Sequence, residues 1–499
     1  VSIDYVYEKE PLGTGGALCG CLDLLDDVFL ILYADIYSRV DFQKLISFHL
    51  KNKNDITCVT HPNDHPFDSD VLETDNNSRV IAVHTHPRMD TNWLPNNINA
   101  AMYCAKKTIF TYKIQKKKFD IAQHFLPFLI DNDFKVGSYK TVEYLKDMGT
   151  PSRLNQVRLD VKRKIDFKKA YSTQKKAIYI DRDGTINEEA GHITKFDQFV
   201  LTKKAASAIK KINSSEFLAF CVTNQPVIAR GEASEEKILS IHNKMETLLG
   251  MEKAYLDEIV YCPHHPDKGF KGEIQKLKKI CKCRKPKPGL INGLSKKYNI
   301  NNSESFMIGD RFSDVLAGER AGAFSILVTS GSRDKQKNCA TRPLLVVADI
   351  GAAVKFIFDS FPTVICLSSR ILANMEKGVK ILFIEGNCQE MRFATASILR
   401  KRIQNSLVFC VDQETEENCI EKSQKEKILI IKEILEGSRK QFSESIHIKD
   451  LDDDFYFKKV NIGRSPLIIM EGVNKDIFFS SKELKKFKKQ SVFLTIDKK

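Results

Sequence analysis

No apolar run in the 499-residue chain approaches the roughly 20 residues that span a bilayer, so no membrane-crossing helix is expected. The first residues, Val1-Ser-Ile-Asp-Tyr5, supply neither a basic region nor an apolar core, and no secretory leader is expected there. Internal repeats and strongly biased tracts are missing as well. Lysine runs such as Lys116-Lys117-Lys118 and Lys485-Lys486 lack the interleaved aromatics of a nucleic-acid-binding stripe. The net charge of +14 therefore reads as a solvated lysine-rich surface that at most helps attract phosphorylated molecules, with no nucleic-acid or membrane partner. Thirteen cysteines, four of them spaced as metal ligands, suggest a reducing interior rather than a disulfide framework, with cytoplasm as the expected location. The oligomeric state leaves no mark in the sequence.

What is present is a repeated exchange of apolar runs and helical patterns, the mark of α/β architecture. At this length two to four domains are expected. Phe29-Leu-Ile-Leu-Tyr33, Lys176-Ala-Ile-Tyr-Ile180, Phe217-Leu-Ala-Phe-Cys-Val222, Ser325-Ile-Leu-Val328 and Ile381-Leu-Phe-Ile384 read as buried parallel strands. Joints are expected at the Lys/Arg-rich stretch 160–176 and the polar stretch 330–343. The resulting division is 1–165, 174–360 and 378–499, each with a mainly parallel sheet.

The central segment carries the chemistry. The strand ending at Ile180 delivers Asp181 and Asp183 to the carboxyl edge of a sheet, where open α/β folds bind ligands. Asp181 is placed to attack phosphorus as a carboxylate nucleophile. Asp183 is placed to protonate the leaving oxygen and then activate water. A phosphatase also needs a hydroxyl or amide for the phosphoryl oxygens, a cation, and further carboxylate for magnesium. Thr223-Asn224-Gln225, Arg284-Lys285, and Asp310 with Asp314 follow in that order. Between them, Cys262-Pro-His264-His265 and Cys281-Lys-Cys283 offer three thiolates and an imidazole, a set that satisfies tetrahedral zinc.

This ordering over roughly 174–361 resembles the haloacid dehalogenase superfamily. The Cys262-x-His264 and Cys281-x-Cys283-Arg284-Lys285-Pro286 pairs resemble its D-glycero-D-manno-heptose 1,7-bisphosphate phosphatase group, with histidinol-phosphate phosphatases as near relatives. The resemblance implies Asp181 as nucleophile, Asp183 as acid/base, Thr223 and Lys285 on the phosphoryl group, and Asn224, Gln225, Arg284 and Arg311 on the substrate. It implies magnesium on Asp181, Asp183 and Asp310, and structural zinc on Cys262, His264, Cys281 and Cys283, in a loop that partly replaces a cap domain. His265 becomes a loop or pocket residue. One departure stands out: the family carries Ser-Gly after Thr-Asn-Gln, whereas this chain has Pro226-Val227, which bears on substrate preference.

Glu10-Pro-Leu-Gly13-Thr-Gly15-Gly16, the strand ending at Ala34-Asp35, Asn99-Ala-Ala-Met-Tyr103 and Asp147-Met-Gly149-Thr-Pro151 resemble the sugar-1-phosphate nucleotidyltransferases over about 1–161. That resemblance implies Asp35 and Asp147 as magnesium carboxylates. The chain begins after the family's triphosphate-gripping loop, and Val83-His84-Thr-His86 stands where the family has a Glu-Lys pair, so an inactive, truncated segment is expected. His84 and His86 read as exposed strand residues rather than a metal pair. Such a segment beside a heptose bisphosphate phosphatase implies consecutive steps of nucleotide-activated heptose synthesis on one chain.

Val379-Lys-Ile-Leu-Phe-Ile384-Glu-Gly386 reads as a strand entering a phosphate loop. Met391, Arg392 and Phe393 occupy the positions where a working loop has Gly, Lys and Ser or Thr. With Leu467-Ile-Ile-Met470-Glu471, this resembles a degenerate uridine-kinase-like P-loop domain without kinase activity. The expected function is magnesium-dependent hydrolysis of the 7-phosphate of a heptose 1,7-bisphosphate. Histidinol phosphate or another small sugar phosphate is the alternative substrate, and a non-catalytic zinc-stabilised scaffold the alternative role.

Overall fold

The computed structural model describes residues 3–87, 93–112, 118–331 and 343–365, residues 394, 395 and 398, and the four strands from 381 onward named below. Two compact units emerge, Val1–Lys337 with Ala348–Gly351, and Asn338–Val347 with Ala352–Lys499.

The first unit holds two sheets. Its amino-terminal part supplies β1 (Val28–Leu32), β2 (Ile36–Ser38), β3 (Ile56–His61), β4 (Val71–Thr74), β5 (Val80–His84), β6 (Ile98–Lys106), β7 (Val136–Lys140) and β8 (Leu145–Asp147). The larger sheet runs β5-β4-β6-β3-β7, with β1 also on β6. Only the β3–β7 pairing is parallel there; β1 runs antiparallel to β6, Val28 opposite Lys106. The expectation of a parallel strand at Phe29–Tyr33 is thus corrected. The burial of this strand is also less than expected, with Ile31 buried and Leu32 exposed, and the direction is set by the connection that brings the chain to the sheet. β2 and β8 form a separate antiparallel ribbon with Ile36 opposite Asp147.

The second sheet of this unit is a wholly parallel layer, β11-β10-β9-β12-β13, built from β9 (Lys176–Ile180), β10 (Phe217–Asn224), β11 (Glu258–Cys262), β12 (Phe306–Gly309) and β13 (Phe324–Val328). Parallel neighbours require crossovers. Helices at Ala205–Asn213, Glu235–Met251, Gly289–Tyr298 and Phe312–Arg320 fill the four gaps. Cover on both faces explains why β9, β10 and β12 are nearly continuous in apolar residues. Tyr179, Phe220 and Tyr298 stack in sequence, with centroids 5.9 and 5.6 Å apart, and lock the helix at Gly289–Tyr298 onto β9 and β10.

The stretch expected as a joint packs against the amino-terminal part. It begins in the helix Pro151–Lys162, where buried Asp160 accepts from Tyr144 and Lys146 at 2.8 Å; Asp166 further on accepts from Tyr37 and Arg39. The helix Glu235–Met251 contacts the amino-terminal part directly: Glu246 accepts from the Asn96 amide at 3.0 Å and Asn243 donates to the Trp93 carbonyl at 3.3 Å.

The second unit contains β14 (Leu345–Val347) and a four-stranded parallel sheet, β16-β17-β15-β18, from β15 (Ile381–Glu385), β16 (Ser406–Cys410), β17 (Leu467–Glu471) and β18 (Ser491–Thr495). The strands expected at Ile381 and Leu467 are present. Gly386 and Met391-Arg392-Phe393, on which the degenerate phosphate-loop reading rests, lie outside the described residues.

Candidate active site and metal centre

Four strands of the parallel layer end at one place. Register sets Cys221 beside Ile180, Ile180 beside Ile308, and Asn224 beside Cys262. The residues immediately after these ends therefore converge: Asp181, Thr223 to Gln225, the Cys262 loop, and Asp310.

At the centre stands Lys285, fully buried. Its ammonium lies 2.7 Å from Asp181 Oδ1 and 2.7 Å from Asp314 Oδ1, and donates to the Val222 carbonyl at 2.7 Å. Burial opposes the charge on Lys285, but the two carboxylates outweigh it and hold the ammonium protonated far above the ordinary lysine range. Burial and the Asp314 carboxylate push the Asp181 carboxyl up, against the pull of Lys285.

Asp310 completes the group. Oxygens of Asp181, Asp310 and Asp314 all lie within 4.8 Å of one another, and all three residues are buried. Neither Asp310 oxygen has a hydrogen-bond partner among the described residues. Its carboxyl is pushed up to about 8 by burial and then by the Asp181 and Asp314 charges, with Arg311, 3.9 Å away, pulling weakly the other way. Fully ionised, three carboxylates against one ammonium would leave about two negative charges, an excess that the raised Asp181 and Asp310 carboxyls relieve by holding protons, and an orphaned buried acceptor lies among them. That donor set suits a hard divalent cation with oxygen ligands. Gly184, at φ +77°, allows the turn, and a Cβ there would sit 2.5 Å from Asp310 Oδ2.

Asp183 does not join this triplet through its side chain. Arg182, with no exposed surface, folds back on it: Nη2 donates to both oxygens at 2.8 and 3.0 Å and Nε to Oδ1 at 3.1 Å. Gln225 donates to Oδ2 at 2.9 Å and Asn187 to Oδ1 at 3.2 Å. Burial works against ionisation of Asp183, yet Arg182 and these donors outweigh it and keep the carboxyl below its usual range. The side-chain triplet differs from the expected metal set Asp181, Asp183, Asp310 at one position: Asp314, which also holds Lys285 through Oδ1 and the Arg311 amide through Oδ2, stands in it, while the Asp183 side chain faces Arg182. The remaining arm of Arg182 donates from Nη1 to His242 Nε2 at 3.2 Å. Burial, then Arg182, lower the His242 imidazole to about 3, so it is a neutral acceptor.

Thr223 is buried at the end of β10, and its Oγ1 accepts from Gln225 at 3.0 Å, which leaves the hydroxyl hydrogen to donate elsewhere. Asn224 braces the loop that carries the central lysine. Its amide donates to the Lys285 carbonyl at 3.1 Å and accepts from the Lys285 N–H at 3.0 Å, so both ends fix the backbone that carries the central lysine. Arg311 is half-exposed beside Glu189 at 3.3 Å, and Arg284 donates to the His264 carbonyl at 3.4 Å.

Behind this centre the Cys262, His264, Cys281 and Cys283 donors converge. Sulfur–sulfur separations are 3.2 to 3.5 Å, and His264 Nδ1 lies 3.3 Å from Cys283 and 3.6 Å from Cys262. A tetrahedron with zinc–sulfur bonds of about 2.3 Å has sulfur–sulfur edges of about 3.8 Å, so these thiols stand a few tenths of an ångström closer than they would around an ion, and three thiolates with one imidazole are the donor types of structural zinc. No sulfur pair is close enough for a disulfide. His265 points away, to Arg230 at 3.0 Å and edge-on to Phe270. Arg230 also reaches His192 at 3.1 Å.

In the amino-terminal part, Asp35 and Asp147 stand on neighbouring strand ends with Gly149 between them. Arg153 engages Asp147 at 2.5 Å and Asp68 at 2.9 Å. His84 pairs with Glu73 at 3.1 Å and His86 with Asp70 at 2.8 Å, so the two histidines serve separate acidic partners. Sequence reasoning missed Arg182 and His242; an arginine inside Asp-x-Asp was the available signal for the first, and a lone histidine in a helix gave none for the second.

Residues 282–353 match a family model described as HAD-hydrolase-like, and residues 1–164 match a nucleotidyl transferase model. The D-glycero-beta-D-manno-heptose-1,7-bisphosphate 7-phosphatase of Pasteurella multocida is 38% identical over 184 residues, 36% of this chain and 97% of the relative. The alpha-heptose counterpart of Photorhabdus laumondii is 39% identical over 147 residues, 30% of this chain and 78% of the relative. Among solved structures, the D,D-heptose 1,7-bisphosphate phosphatase of B. bronchiseptica, complexed with magnesium and phosphate, is 28% identical, covering 36% of this chain and 96% of its own at a TM-score of 0.32.

Proposed function

Because the chain belongs to the HAD-like family of heptose-1,7-bisphosphate phosphatases, and so to the phosphoric monoester hydrolases, we propose that residues 174–360 hydrolyse the 7-phosphate of a D-glycero-D-manno-heptose 1,7-bisphosphate. The observation that supports this most is the buried Lys285 between Asp181 and Asp314, with Asp310, whose oxygens have no hydrogen-bond partner among the described residues, alongside.

In the first step the Asp181 carboxylate attacks phosphorus while the bond from phosphorus to the sugar oxygen breaks. Asp183, ionised in the free site, takes up a solvent proton as substrate binds and passes it to that oxygen, releasing the heptose 1-phosphate. In the second step water attacks the aspartyl-phosphate and gives its proton to Asp183. The phosphorus–Asp181 bond breaks, returning the carboxylate and inorganic phosphate. Lys285 and the Thr223 hydroxyl neutralise charge on the phosphoryl oxygens throughout. Asp181, Asp310 and Asp314 would hold a magnesium ion, whose chemistry is to screen the phosphate from the attacking carboxylate. Cys262, His264, Cys281 and Cys283 would hold zinc with no open position, a structural role.

The nucleotidyltransferase-like part, assigned here to 1–165, carries Asp35 and Asp147 as its acidic pair. In this reading residues 378–499 are set apart as a third domain. The reading is tested by phosphate release from heptose 1,7-bisphosphates with histidinol phosphate as the comparison substrate.

A further inference from the structure

We propose that His242, on the helix Glu235–Met251, is a positioning residue for the acid/base step, acting on Asp183 through Arg182. The proposal rests on the phosphatase reading above, in which Asp183 carries the proton.

Three buried groups form one chain of contacts. His242 is 3% exposed, Arg182 has no exposed surface, and Arg182 binds both Asp183 oxygens. A buried guanidinium needs acceptors for all its N–H groups, and here Nη1 has the His242 ring while Nη2 and Nε have Asp183. His242 is itself held against the Tyr261 ring, with centroids 5.4 Å apart. The burial that keeps the imidazole neutral preserves its lone pair for Arg182. One fixed acceptor on Nη1 determines which edge of the guanidinium faces Asp183. Without it, the guanidinium can turn within its plane and carry the carboxylate it grips with it, so that Asp183 is no longer aimed at the sugar oxygen.

The distinction between positioning and mere support can be read from two substrates. Sugar phosphates leave as poor alkoxides and need the proton; p-nitrophenyl phosphate leaves as a stable phenolate and does not. The ratio kcat/KM reports events up to departure of the leaving group. For His242→Leu we expect kcat/KM on the heptose bisphosphate to fall on the order of tenfold, part of what general acid catalysis supplies. On p-nitrophenyl phosphate it should stay within about twofold. A partly unfolded sample would lower both equally, so the ratio survives a stability loss. His242→Gln, which returns an acceptor oxygen, should recover most of the sugar phosphate rate. Asp183→Asn, measured beside it, should show the same selective loss. Equal losses on both substrates for His242→Leu, with Asp183→Asn still selective, would overturn the proposal. A non-selective Asp183→Asn would overturn the acid role on which it rests.

Discussion

Lys285 Nζ and Asp314 Oδ1 meet at 2.7 Å with both side chains almost wholly out of solvent. The lysine follows the paired cysteines and the aspartate sits in the first turn of the helix Phe312–Arg320, so two motifs distant in the chain share one ion pair. Lys285 is the positive charge set between two of the three buried carboxylates. Replacing it by methionine should destabilise the metal-free protein by about 3–5 kcal/mol, the usual penalty for uncompensated buried charge, and lower kcat at least a hundredfold. Thermal melting without and with magnesium checks this: the loss should shrink when the ion is present.

The acidic triplet also predicts how magnesium binding depends on pH. Asp310's carboxyl, pushed up to about 8 in the fold, titrates near 3.9 in the unfolded chain. Between those values the native state holds the extra proton, so the stability of the metal-free protein falls as pH rises. Magnesium competes with that proton. The rise in melting temperature on adding magnesium should therefore be larger at pH 8 than at pH 6. An equal or smaller rise at pH 8 would contradict the assignment of Asp310 as a ligand.

Cys281 lies 3.5 Å from Cys262 and 3.3 Å from Cys283. Cys281→Ser should purify without stoichiometric zinc and melt several degrees lower, since binding to a closed four-ligand site is coupled to folding. Metal analysis and melting curves indistinguishable from the parent would refute the zinc assignment.

Much of this site is legible in the primary structure because strand ends carry it. Asp181, Thr223, Cys262 and Asp310 each follow or close an apolar run, and parallel strands in one layer must deliver their carboxyl ends to one edge. Side-chain direction within a turn is not encoded by spacing. Asp181 and Asp183 look equivalent in Asp-x-Asp, but Arg182 between them folds onto Asp183 alone, and the side chain that stands beside Asp181 and Asp310 is that of Asp314. Asn224 reads as a substrate contact, and the grip of its amide on the Lys285 backbone is a role that spacing does not announce. Strand direction is hidden for the same kind of reason: β1 and β9 are both apolar runs, and only the connections make one antiparallel and the other parallel.

The most direct test of the account is phosphate release by the purified chain with magnesium, on both anomers of D-glycero-D-manno-heptose 1,7-bisphosphate and on histidinol phosphate, beside an Asp181→Asn variant. The account predicts turnover of a heptose bisphosphate by the parent, a strong preference over histidinol phosphate, and turnover reduced by at least about 10⁴-fold in the folded variant. Turnover of histidinol phosphate alone, or an Asp181→Asn variant that keeps the parent's rate, would contradict it.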